Sequence, residues 1–95
     1  RKVMRMFDDS PARISEGRLI AYTSKNDEDI LVVTNPDGEH FSTPILTFRK
    51  LDPKQKPVYC EKPFTVLSEN DSEIKLRFKL EANCSAMTVF MVPQD

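Results

Sequence analysis

The chain has 95 residues, 14 basic and 15 acidic, for a net charge of −1, with 39% hydrophobic and 31% charged residues. That length holds one domain and no second core, and the mixture excludes a disordered chain. The balanced charge speaks against a dedicated nucleic-acid binder, and no apolar run is long enough to cross a bilayer as a helix.

The opening Arg1-Lys2-Val3-Met4-Arg5 turns acidic too early for a secretory leader. A chain that starts at Arg1 reads as a domain excised from a larger protein, with any targeting signal elsewhere. Residues 1–17 form a lead-in. Val3, Met6 and Phe7 fit one side of a helical turn or two, which Pro11 stops because proline disfavours helix in the residue before it. An extended arm fits this stretch equally well.

From Arg18 the chain reads as strands separated by turns. Arg18–Thr23 is followed by a polar connection over Lys25–Asp29. Ile30–Thr34 is continuously apolar and is expected to be buried on both faces. Asn35-Pro36-Asp37-Gly38 is the strongest turn, with proline presetting one angle and glycine accepting a positive φ. His40–Leu51 alternates around Pro44. Proline cannot donate a ladder hydrogen bond, so this segment is an edge strand or two short strands joined at a bend. Asp52–Pro57 reads as an exposed connection, followed by strands at Val58–Cys60 and Phe64–Leu67 and a turn at Ser68–Asp71.

Glu73–Leu80 has the clearest pattern. Ile74, Leu76, Phe78 and Leu80 share one face, and Lys75, Arg77 and Lys79 share the other. Met87–Val92 is apolar enough to be central, with Glu81–Ser85 as a hairpin connection before it. These elements predict an all-β fold, an antiparallel β-sandwich of about six to eight short strands, loosely immunoglobulin-like in architecture. The alternative is a curved sheet capped by one helix, as in pleckstrin-homology or polo-box modules. The first seven residues are the only helix candidate for it, and they lie at the wrong end.

The sequence offers catalysis little. His40 is the sole histidine, and Gly17 and Gly38 are the two glycines, so neither a paired acid–base site nor a glycine-rich phosphate cradle is expected. Two cysteines and one histidine match no zinc spacing. The expectation is a non-enzyme with no metal and no cofactor. The acidic clusters Asn26–Asp29, Asp37 with Glu39, and Glu69–Asp71 with Glu73 fit no EF-hand loop and read as solvated turns.

With no tryptophan, six phenylalanines and two tyrosines, aromatic platforms for sugars or bases are scarce. Lys75, Arg77 and Lys79 form a row spaced about 6.6–6.8 Å apart, with Arg49 and Lys50 nearby. The row is either the solvent face of an amphipathic strand or an anion-binding surface. Asn70 and Asn83 begin N-x-[ST] sequons. Cys60 and Cys84 are either two reduced core thiols or a disulfide, which would close a loop of about 25 residues and stabilise by roughly 3 kcal/mol.

The expected function is a non-catalytic interaction module, or scaffold, of a larger protein. It would bind another protein through an exposed strand edge or through end loops. The Pro44 segment is the candidate edge, with Phe41 and Phe48 as anchors. An exposed edge also admits homodimer pairing. The first alternative is an accessory domain of an extracellular or luminal protein, with the disulfide and N-glycans. The second is an anion-binding surface for phospholipid or nucleic acid, partners that the near-neutral charge disfavours. The compartment stays open, with an intracellular setting placed slightly ahead.

Overall fold

The computed structural model describes residues 11–60, 62–83 and 86–94. They form eight strands: β1 (Ala12–Ile14), β2 (Arg18–Lys25), β3 (Glu28–Thr34), β4 (Ile45–Arg49), β5 (Gln55–Cys60), β6 (Phe64–Glu69), β7 (Glu73–Phe78) and β8 (Ala86–Pro93). Two four-stranded sheets result, ordered β1-β4-β7-β6 and β2-β3-β8-β5, with every pairing antiparallel. This is the β-sandwich architecture that the strand pattern predicts. It is not the helix-capped sheet, and no helix occurs among the described residues. The likeness to immunoglobulin domains stops at architecture, because those pair their first two strands whereas β1 here pairs β4. The expected lead-in helix at residues 1–7 lies outside the described residues.

The core follows from alternation. Leu46 and Phe48 of β4 face Leu76 and Ile74 of β7, and Leu31 and Val33 of β3 face Val89 and Met87 of β8. All eight are buried, and with Met91, Phe78, Leu80 and Ala12 they form one cluster drawn from both sheets. Apolar residues directly opposite one another fix the register, since a one-residue slip would turn each strand inside out.

Several expectations need correction. Ile30–Thr34 is buried on one face only. Leu31 and Val33 are inaccessible, while Ile30 and Val32 are only partly buried, because among the described residues no further layer covers that side. The Pro44 segment is no edge. Ser42 makes an isolated bridge to Leu80, and β4 runs between β1 and β7. Pro44 falls between these two pieces, where its missing N–H interrupts no ladder, and its carbonyl accepts from the N–H of Phe78. Glu81–Ser85 is no hairpin loop either, because β7 and β8 belong to different sheets and the connection crosses between them.

Local chemistry explains the turns. Asn26 and Asp27 have φ of 56° and 64°, the positive pair that a two-residue hairpin requires and that Asn and Asp tolerate. The β2–β3 connection is therefore tighter than the polar run suggests. Gly17 is left-handed at φ 81°, and a β-carbon there would lie 2.6 Å from the Thr34 carbonyl oxygen. The turn after β3 does not use a left-handed Gly38. Buried Asn35 donates from Nδ2 to the carbonyls of His40 (2.9 Å), Glu81 (3.1 Å) and Leu80 (3.4 Å). Asp37 Oδ1 accepts from the N–H groups of Glu39 and His40.

A buried polar cluster closes the other end. Gln55, predicted to be exposed, is fully buried at the start of β5, as is Asp29 of β3. Gln55 Oε1 accepts from the N–H groups of Leu51 (2.7 Å) and Asp52 (3.3 Å). Its Nε2 donates to Asp29 Oδ2 and the Asp27 carbonyl, both at 2.8 Å. The Tyr22 hydroxyl donates to Asp29 Oδ1 at 2.7 Å. Burial, then this bond to Asp29, pushes the Tyr22 phenol up to about 12. One glutamine thus ties the loop after β4 to the β2–β3 hairpin.

Candidate functional site

Four strands lie at sheet edges, and they differ in how far they are shielded. β1 has only three residues. β5 carries Pro57 and a bulge at Val58. β2 has a bulge at Ile20 and basic residues at both ends. Among the described residues β6 pairs only with β7, every one of its residues is exposed, and it contains neither lysine nor proline. Its apolar members Phe64, Val66 and Leu67 are 37%, 45% and 42% exposed. Phe64 and Val66 stand opposite the buried Phe78 and Leu76, so they point toward the inner side of the sandwich and remain partly uncovered there. Leu67 occupies a bulge. The stretch before it is a free edge with apolar side chains beneath it.

The outer face of the same sheet is basic. Arg13 of β1 stands opposite Thr47, and Lys75 and Arg77 stand opposite Thr47 and Ile45. Arg49 stands opposite Glu73. Together with Lys79, five cations share this face with the carboxylates of Glu73 and Glu81. Among the described residues Arg13, Arg49, Lys75 and Arg77 form no salt bridge. Lys79 lies 4.4 Å from the centre of the Phe41 ring and 3.7 Å from the Glu81 carboxylate. The sequence places Lys75, Arg77 and Lys79 in one row, as found. Arg49 lies near the row, as expected, whereas the Lys50 side chain is buried against Glu69, and folding adds Arg13 from β1.

The row and the edge meet at the start of β6. A shallow depression of about 260 Å³ is lined there by Pro63, Phe64, Thr65, Arg77 and Lys79, among others. It brings residues of the basic row and of the β6 edge to one place.

The far end of β6 is pinned. Lys50, whose side chain is 2% exposed, donates to Glu69 Oε2 at 2.8 Å and to the Pro53 carbonyl at 3.3 Å. Lys56 of β5 donates to the same carboxylate oxygen. Bonds from Lys50 and then Lys56 hold the Glu69 carboxyl below the usual range. The N–H groups of Glu39 and His40 do the same for Asp37. A carboxyl depressed by folding stabilises above its unfolded pKa, and that contribution is lost as pH falls through the folded value. Urea midpoints are therefore expected to hold down to about pH 4.3, the unfolded glutamate value, and to drop below it. Glu69→Gln should start lower and drop less. An acid limb of unchanged depth in that variant would show that the pair with Lys50 contributes nothing.

The other sequence candidates separate. Phe48, an expected anchor, is 0% exposed and belongs to the core, because β4 is central and position 48 faces inward. Phe41 is 57% exposed and stacks under Lys79. His40 stands in solvent with Nδ1 3.4 Å from Asp37 Oδ2. The acidic turns do not gather. Asp27 and Asp37 flank opposite ends of β3, roughly 20 Å apart along a seven-residue strand. Among the described residues no group of three or more His, Cys, Asp and Glu could hold a metal.

Asn70 is exposed and has a structural task. Its Oδ1 accepts from the Ser72 N–H, the Ser72 hydroxyl and the Glu73 N–H, which closes the β6–β7 hairpin. Asn83 is exposed at φ 68°, and its N–H donates to the Asp37 carbonyl. Cys60 is half-buried and packs against the core, and burial pushes its thiol up to about 11. The suggested partner Cys84 lies outside the described residues.

Among known proteins, no family model, curated protein or solved structure matches this chain.

Proposed function

We propose that the chain is a non-catalytic protein-binding module that takes an extended segment of its partner as an added strand on β6. The observation that carries this reading is the β6 edge itself. It is a strand exposed throughout, free on one side among the described residues, with apolar side chains beneath it and no protective lysine or proline. Free backbone N–H and C=O groups give such an edge affinity for any extended chain, and the flanking side chains give selectivity.

A library of random dodecapeptides displayed on phage, selected against the 95-residue chain, tests the reading. Selected peptides are expected to protect β6 amides from hydrogen exchange. Val66→Lys, which puts a charge under the added strand, is expected to weaken them at least tenfold. Val66 is already half-exposed, so the urea midpoint should move little. Protection confined to the loops at either end of the sandwich, with affinity intact in Val66→Lys, would reject the edge.

A further inference from the structure

We infer that the strand taken up by β6 is acidic on one face, with its apolar side chains over Phe64 and Val66 and its alternate carboxylates against Arg77 and Lys79. This rests on strand addition at β6 and goes further by stating the chemistry of the partner.

The argument is one of register and charge. A strand added beside β6 continues the sheet, so its side chains alternate between the two sides. Those that follow Phe64 and Val66 meet half-covered apolar surface. Those that follow Thr65 emerge on the outer face. Thr65 is short and stands opposite Arg77, so it does not screen that guanidinium from the newcomer. The added strand lies two ladder spacings from β7, roughly 9–10 Å. An arginine and a glutamate leaning toward each other over a threonine span that gap. The depression between Phe64, Thr65, Arg77 and Lys79 is where the first such carboxylate would settle. Arg77 forms no salt bridge among the described residues, and Lys79 meets the exposed carboxylate of Glu81 at 3.7 Å and the Phe41 ring at 4.4 Å.

The same charges argue against a second copy of the chain as the occupant. Antiparallel β6–β6 pairing would join two basic outer faces into one sheet surface. Like charges brought together across an interface oppose association.

The phage selection also tests this inference, because composition can be read separately from location. Enriched dodecapeptides are expected to alternate apolar residues with Asp or Glu. A synthetic peptide of that kind should bind at least tenfold more weakly once its carboxylates are replaced by amides. The chain carrying Arg77→Glu and Lys79→Glu should instead enrich peptides rich in lysine and arginine. Both positions are exposed, and the amide-substituted peptide tests the same pairing on the unaltered chain should the double variant not fold. Neutral or basic peptides that protect β6 amides would overturn the acidic partner and leave the edge standing. Acidic peptides that bind Val66→Lys undiminished, without protecting β6, would reduce the row to a general charge surface and also overturn the inference. No enrichment at all would remove both readings.

Discussion

Gln55→Ala is expected to cost about 3–5 kcal/mol, because each buried hydrogen-bonding group left unpaired costs roughly 1–3 kcal/mol and this side chain serves several at once. Truncation strands the N–H groups of Leu51 and Asp52 and removes the donor to Asp29 Oδ2. A domain of this size has a total stability of about 5–14 kcal/mol, so a large part of the folded population depends on one glutamine. Urea unfolding measures the loss directly. Gln55→Glu sharpens the test, since it exchanges the amide donor for a second carboxyl beside Asp29. That variant should be weakest near neutral pH and regain stability as the new carboxyl protonates. A Gln55→Ala midpoint matching the parent would mean that water replaces the amide without loss.

The second large effect separates two phenylalanines that the sequence treats alike. Phe48→Ala is expected to cost about 3–5 kcal/mol, the usual penalty for a cavity of that size in a packed core. Phe41→Ala should cost at most about 1 kcal/mol, the strength of an exposed cation–π contact, because Phe41 is 57% exposed and its ring meets the Lys79 ammonium. Thermal or urea unfolding of both variants decides the matter. Equal losses would contradict the burial of one and the exposure of the other.

These two cases also show where sequence reasoning reached and where it stopped. Alternation from Ile74 to Leu80 is legible because a strand's period of two is a local property, and all four inward residues lie in the core. Phe48 belongs to a pattern whose phase Ile45 breaks near Pro44. Pro44 pointed to an edge, yet whether a proline harms a sheet depends on which neighbour its absent N–H would have met. Gln55 sits among Pro53, Lys54, Lys56 and Pro57, a context that reads as solvent. Its burial arises because Asp29, 26 positions away, needs a donor. Sheet membership of β7 and β8 is likewise a matter of partners rather than periods.

The candidate site divides along the same line. Lys75, Arg77 and Lys79 lie on one strand and are visible as a row. Arg49 is expected near them, and Arg13 joins them only through the pairing of β1, β4 and β7. The β6 edge was the least legible feature. Phe64 and Val66 are as apolar as any core pair, and only the strand order shows that β6 has a neighbour on one side alone.

Five cations on one sheet face, in a chain of net charge −1, leave the rest of the chain net negative. An oppositely charged partner is turned toward that face before it touches, within about 10 Å at 0.1 M salt. Arrival and departure then answer to different residues. In the proposed complex the basic face would govern how fast an encounter begins, and salt would slow it. The apolar side chains beneath β6 would govern how long that complex lasts. Evolution or engineering can therefore change the tempo of association without changing its duration.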